Sequence, residues 1–254
     1  MNSLLGPKLS GLINLLFPNR CAFCAAVLEE GCSICERCIA GIELISGPVC
    51  GRCGAPSPDP LTGKRHSRVQ CCEQCRDMVA VFHKNESLSV FTGKMRELIH
   101  HFKFNKRRSL SNLFSGLLVK HKRDYILEHD ELVPVPLTGV RMLERGFNQS
   151  LLIARKLASR LPVGFHGSII SRKGDSVPQS RVRSRAQRRN NINDRFFVKK
   201  RWRTVVPGKR VLLFDDVLTT GATASECARV LYEEGAVCVN LLTLSRAMVN
   251  SIDI

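Results

Sequence analysis

Ten of the 12 cysteines of this 254-residue chain fall between Cys21 and Cys75. Eight of them form four C-x-x-C pairs: Cys21/Cys24, Cys35/Cys38, Cys50/Cys53 and Cys72/Cys75. A C-x-x-C turn aims two thiolates at one centre, and two such turns complete a tetrahedral zinc site. Between Cys53 and Cys72 lie 18 residues, inside the usual ribbon interval; between Cys24 and Cys35 lie 10, short but workable. Pairing in chain order, 21/24 with 35/38 and 50/53 with 72/75, is preferred, with a cross-brace left open. Gly51 and Gly54 suit knuckles that need positive φ. Segment 21–78 has few large apolar residues, so metal, which contributes about 10–16 kcal/mol in small zinc fingers, would supply its fold. Disulfides require export, and four pairs in 55 residues do not read as redox motifs. Two structural zinc ions are therefore expected, with no open coordination position. Cys32 and Cys71 are extra and either would serve as a local substitute ligand; Cys227 and Cys238 read as core thiols.

Charge narrows the partners. There are 39 Lys+Arg against 22 Asp+Glu, a net charge of +17, which favours nucleic acid or phosphorylated ligands. The excess is concentrated. Ser171–Arg210 holds 14 Lys+Arg and 2 Asp+Glu, and Phe91–Tyr125 holds 9 and 2. No apolar run reaches the roughly 20 residues that span a membrane. Leu4–Phe17 is apolar but broken by Gly6, Pro7, Lys8 and Gly11, and no small-residue cleavage site follows. It is read as a short helix capping the next domain rather than a signal peptide.

Residues 211–226 read VLLFDDVLTTGATASE. Val211–Phe214 suits a strand buried on both faces. Asp215 and Asp216 follow, expected at the strand's carboxyl end near solvent. Thr219, Thr220 and Gly221 make a small loop, and Ala222–Tyr232 has helical spacing of apolar residues. A loop at a helix N-terminus presents N–H groups and a positive dipole end to a phosphate. Carboxylates accept hydrogen bonds from hydroxyls, so the acidic pair suits a ribose diol. The run is neither a Walker loop nor a GxGxxG turn. It resembles the phosphoribosyl pyrophosphate (PRPP) motif of type I phosphoribosyltransferases.

Upstream, strands are expected at Val79–Phe82, Ser87–Phe91, Leu132–Pro136 and Val163–Ile170. Helices are expected at Gly93–Phe104, Ser109–Asp124 and Arg141–Leu161. Strands at Phe196–Val198, Val211–Phe214 and Val237–Leu244 complete the set. The alternation argues a mostly parallel sheet flanked by helices. The expected organisation is an α/β, type I phosphoribosyltransferase-like domain over 79–254, preceded by a small double zinc-ribbon domain over 1–78, each with its own core. The turn after Val133-Pro134-Val135-Pro136-Leu137, with Arg145-Gly146-Phe147-Asn148-Gln149 beyond it, suits a pyrophosphate. Ser171–Asn193 carries 7 Lys+Arg against 1 Asp and no apolar period. It is a candidate closing loop or a track for a nucleic-acid backbone.

Zinc ribbons introduced by Leu15-Leu16-Phe17-Pro18, then Phe102-Lys103-Phe104, then PVP with RGFNQS, then a basic loop and the PRPP motif, together resemble the ComF family. These are phosphoribosyltransferase-like proteins of natural transformation and DNA uptake. The family's basic-loop pattern fits Gln179, Arg188, Asn191 and Phe196 with one residue of slack. The resemblance implies that Asp215 and Asp216 hold the ribose as the catalytic acidic pair. Thr219, Thr220, Gly221, Ala222 and Thr223 would hold the 5-phosphate, and Leu137, Thr138 and Arg145 the pyrophosphate, with Mg²⁺ accompanying PRPP. It also implies a cytoplasmic protein working at the inner face of the membrane, with a DNA-uptake helicase or membrane channel as a further partner. Single-stranded DNA would meet Lys103, Lys106, Arg107, Arg108, Arg181, Arg183, Arg185, Arg188 and Arg189. Phe102, Phe104, Phe196, Phe197 and Trp202 would stack the bases. The alternatives are an active phosphoribosyltransferase on an amine or base acceptor, and a zinc-dependent scaffold with an inert sugar site.

Overall fold

A computed structural model describes residues 19–21, 23–29, 32, 34–56, 72, 75, 80–105, 107–172 and 196–248. Helix α1 (Glu36–Ala40) is followed by β1 (Asn85–Val90), α2 (Gly93–Phe104), α3 (Leu110–Leu127) and β2 (Glu131–Pro134). Then come α4 (Gly139–Arg145), α5 (Gln149–Ala158), β3 (Gly164–Phe165), β4 (Ile170–Arg172) and β5 (Phe196–Val198). Strand β6 (Arg210–Leu218), α6 (Ala222–Glu233) and β7 (Cys238–Arg246) close the chain. Five strands pair in parallel in the order β1-β7-β6-β2-β3, and β4 and β5 form a separate antiparallel ribbon.

The sheet is covered on both faces. Along β6, Leu212 and Phe214 join Leu98, Phe102, Phe114 and Ile153, the side chains of α2, α3 and α5. Val211 and Leu213 join Cys227, Ala228 and Leu231 of α6, with Ile170 and Val198 of the small ribbon. The strand alternation thus feeds two cores, which is why its sequence is an unbroken apolar run.

Five expectations are corrected. The helix expected over Arg141–Leu161 is two helices. Gly146 ends α4 in the left-handed region, and the Asn148 side chain restarts the chain as α5 by accepting the Leu151 N–H at 3.1 Å. The strand expected over Val163–Ile170 is two short pieces, and Ala80–Phe82 carries no strand. Strand β6 does not stop before the acidic pair; it runs through Asp215 and Asp216 to Leu218, paired with β7 up to Arg246. Of the two knuckle glycines only Gly54 has positive φ, at 68°, and a Cβ there would sit 2.7 Å from the Asn85 carbonyl oxygen. Ala25 takes the equivalent place after Cys24 at φ 55°.

The ribbons are not a separate body. Cys21, Ile34, Cys38 and Ile42 lie in the same core as Leu88, Met95 and Leu98. Cys50, Cys53 and Cys75 lie in the opposite core with Phe82, Val133 and Val239. Hydrogen bonds tie the second knuckle to β1: Asn85 N–H donates to Arg52 O at 2.8 Å, and Asn85 Nδ2 donates to Cys53 O at 2.9 Å. The stretch between the knuckles runs beside β1. Leu44 bridges Ser89, and Ile45 N–H donates to Leu88 O at 3.0 Å. Among the described residues no helix is long and apolar enough to cross a membrane.

A shared core predicts shared unfolding. Cys38→Ser should lower the thermal midpoint of sheet and ribbons in one transition, at a cost on the order of 4 kcal/mol. Circular dichroism melting with metal analysis checks this. An α/β transition left at the parent temperature would mean that the ribbons fold apart.

Candidate functional site

The sheet order sets the place of the site. The chain leaves the carboxyl end of β2 toward β3 and the carboxyl end of β6 toward β7, on opposite sides. Open α/β sheets bind ligands at such a switch point. A cleft of about 740 Å³ lies there, walled by Asp215, Asp216, Thr219, Ala222, Thr223, Leu137, Thr138 and Arg145. Thr220 and Gly221 complete the same loop without lining the wall; Gly221, at φ 77°, caps α6. The rest of the wall includes Arg96, His100, Lys103, Arg141 and Arg172. Two carboxylates therefore sit among five Lys and Arg side chains, an arrangement for a ligand that is mostly anionic but carries hydroxyls.

Each residue of Arg145-Gly146-Phe147-Asn148-Gln149-Ser150 has a separate task. Arg145, 8% exposed, donates to Gln149 Oε1 at 3.1 Å, and its guanidinium lies 5.5 Å from the Phe104 ring. Burial lowers the pKa of Arg145, against the pull of Asp216. Phe147 packs edge-on against Phe102, and Asn148 Nδ2 donates to Val135 O at 3.2 Å. Ser150 Oγ donates to Asp215 Oδ1 at 3.1 Å. Arg145 Nε and Gln149 Nε2 are buried donors without a hydrogen-bond partner in this conformation. Such orphaned groups cost about 1–3 kcal/mol each.

The two aspartates differ. Burial, then the charge of Asp216, raises the Asp215 pKa from 3.8 to about 7, despite the Asp216 N–H at 2.8 Å, Lys103 and Ser150. Asp216 faces α2, and its Oδ2 pairs with Lys103 Nζ at 3.0 Å. The loop beyond is fixed from behind by Arg246, 3% exposed, which donates to Leu218 O at 3.0 Å and to Thr219 O at 2.6 Å.

The residues read as nucleic-acid contacts divide. Lys103 lies in the cleft on Asp216. Arg107 is exposed. Arg108 is also exposed but bound to Gly146 O at 3.2 Å and set over the Phe147 ring. Lys106, Arg181, Arg183, Arg185, Arg188 and Arg189 lie outside the described residues. Phe102 (0% exposed) and Phe196 (7%) belong to the core and are not available to bases; Phe104 and Phe197 remain exposed. Sequence reading missed the parts of Arg246, Gln149, Ser150, Arg96, His100, Arg141 and Arg172. Only Gln149 and Ser150 had a signal, their place in the RGFNQS run.

The cysteines form two clusters in chain order, Cys21, Cys24, Cys35, Cys38 and Cys50, Cys53, Cys72, Cys75, with sulfurs within 4.8 Å of one another. Sulfur pairs lie 3.6 Å (Cys24–Cys35), 3.8 Å (Cys50–Cys75) and 3.6 Å (Cys53–Cys72) apart. Tetrahedral zinc with bonds of about 2.3 Å requires edges of about 3.8 Å. Both clusters repeat one contact: Cys35 N–H points to Cys21 Sγ and Cys72 N–H to Cys50 Sγ, each at 3.4 Å. Burial disfavours the Cys21 and Cys50 thiolates, but backbone N–H groups outweigh it and bring both pKa values down to about 6. Burial and the neighbouring thiols push Cys38 up to about 12. Four thiols this close ionise together only around a cation, so these sites fit structural zinc. The cross-brace is not formed. Cys32 is exposed and outside the first cluster, and Cys71 lies outside the described residues.

Fold and sites together define a phosphoribosyltransferase-type α/β protein with an N-terminal double zinc ribbon. Residues 12–77 match the double zinc ribbon domain and residues 148–251 the phosphoribosyl transferase domain. The DNA utilization protein YhgH of Salmonella typhimurium is 29% identical over 245 residues, covering 92% of this chain and 100% of that protein. Competence protein F of Haemophilus influenzae is 29% identical, covering 91% of this chain and 98% of that protein. Competence protein ComFC of Bacillus subtilis is 29% identical, covering 87% of each. A solved adenine phosphoribosyltransferase covers 58% of this chain and 75% of its own at 17% identity, with a TM-score of 0.37. Over most of its length the chain is thus similar to proteins named for competence and DNA utilization.

Metal analysis of chelator-free protein should return two zinc ions per chain; folded protein with almost none would refute the zinc sites. The Asp215 shift also carries a sign. Between pH 3.8 and about 7 the folded chain holds a proton that the unfolded chain has released, so this group lowers stability as pH rises through that window. Asp215→Asn should therefore raise the thermal midpoint more at pH 8 than at pH 5. Equal shifts at both pH values would contradict the assignment.

Proposed function

We propose that the cleft binds PRPP with Mg²⁺ and that the chain also binds single-stranded DNA, serving DNA uptake or use. One observation carries the first part: acidic pair, phosphate loop and the turn after β2 meet at one switch point among Arg96, Lys103, Arg141, Arg145 and Arg172. The acidic pair takes the 2- and 3-hydroxyls, Thr219–Thr223 the 5-phosphate, and Leu137, Thr138 and Arg145 the pyrophosphate. Mg²⁺ bound with PRPP would offset the negative charge of its phosphate oxygens. The DNA reading draws support from the basic stretches and from relatives named for DNA utilization and competence. The remaining finer readings, a working place at the inner membrane face and a boundary near residue 78 between two regions that share their cores, belong to this same proposal.

Replacing Asp215 and Asp216 together with Ala should abolish PRPP binding in calorimetry while the protein stays folded. Parent-like affinity would disprove the ribose assignment. Release of pyrophosphate from PRPP, assayed with candidate bases and amines, separates an enzyme from a binding protein. For DNA, contact with about five phosphates gives a log–log salt slope of about −3.5 on a single strand. Lys106→Glu with Arg107→Glu should weaken binding alike on all sequences. A flat salt dependence would leave the positive charge to PRPP and an acidic protein partner.

A further inference from the structure

Lys103 reaches the acidic pair from α2, an element that the strand–loop–helix motif does not include. Its Nζ is 3.0 Å from Asp216 Oδ2, and the two side chains are only 15% and 12% exposed. Asp215 is engaged differently, by the Ser150 hydroxyl and the Asp216 N–H. Arg145, another cation of the wall, is turned to Gln149. Asp216 is therefore already neutralised, and its partner is tethered to the protein. Breaking a sheltered ion pair leaves an uncompensated charge, which is strongly unfavourable. A free divalent cation has to displace the ammonium into a wall that already holds Arg96, Arg141 and Arg145. A ligand bearing phosphates brings a new anion for the displaced ammonium.

We propose that Lys103 is a built-in counter-ion that keeps free divalent cations off the acidic pair until an anionic ligand arrives to take over its ammonium. The inference rests on the reading of the pair as the sugar's grip, and it adds order to it: metal enters with the ligand, not before. Lys103 is thus a positioning and specificity residue, distinct from a nucleic-acid contact.

The test is a titration of the full zinc-loaded chain with Mn²⁺ alone, followed by electron paramagnetic resonance. Lys103→Met, and Lys103→Gln as a second uncharged variant, should bind one Mn²⁺ at least about tenfold tighter than the parent, as removal of a nearby like charge requires. Lys103→Arg should match the parent, which separates charge from packing. Adding Asp216→Asn to Lys103→Met should cancel the gain. Equal Mn²⁺ affinity in the parent and both uncharged variants overturns the proposal. Titration with PRPP and Mg²⁺ distinguishes the two readings. A parent that ignores PRPP while the variants still gain Mn²⁺ removes the sugar site and supports the counter-ion. PRPP binding without any Mn²⁺ gain keeps the sugar site and removes the counter-ion.

Discussion

A strand buried on both faces carries two adjacent carboxylates toward its carboxyl end, and much of the molecule is arranged around that conflict. Strand β6 supplies apolar side chains to both cores and then, without leaving the sheet, presents Asp215 and Asp216. Low-dielectric surroundings penalise charge, so each carboxylate needs compensation. Asp215 receives a hydroxyl from α5 and a backbone N–H, and its pKa still rises to about 7. Asp216 receives a lysine from α2. The helices that make the core also make the site.

The zinc ribbons take part in the same economy of surface. Each knuckle sends thiols and neighbouring apolar residues into one of the two cores. Metal bound there would contribute to stability beyond its own loops, because Cys21 and Cys38 lie in the core with α2 and α3 and Cys50, Cys53 and Cys75 in the core with α6. A zinc site whose only role was local would not place Cys38 beside the core of a parallel sheet.

Much of this was legible in the sequence where the pattern is local. Gly93–Phe104 was read with its observed bounds, since Met95, Leu98, Ile99 and Phe102 repeat at helical spacing and all are buried. Cysteine pairing in chain order was preferred with a cross-brace left open, and the two clusters form in chain order. The run over Arg141–Leu161 misled because apolar spacing continues across Gly146, and only the capping roles of Gly146 and Asn148 mark the break. The end of β6 was misplaced because charge was taken as a sign of solvent, whereas the ladder to β7 continues beneath it. Lys103 and Arg246 were out of reach for a different reason. Their partners are distant in sequence, and nothing nearby distinguishes a lysine that neutralises a carboxylate from one that meets a phosphate.

The stretch through Leu44 and Ile45 has a consequence beyond joining two knuckles. It meets the outer side of β1 through one antiparallel bridge and one hydrogen bond, so part of the open edge of the parallel sheet is already occupied. At the opposite edge β3 is only two residues long, which offers little to pair with. Zinc at the two cysteine clusters would hold that stretch at both of its ends. Chelation would therefore do more than soften a peripheral loop. It would uncover backbone groups at Leu88 and Ser89 on the edge strand β1, and metal-depleted chains would be prone to associate edge to edge into aggregates.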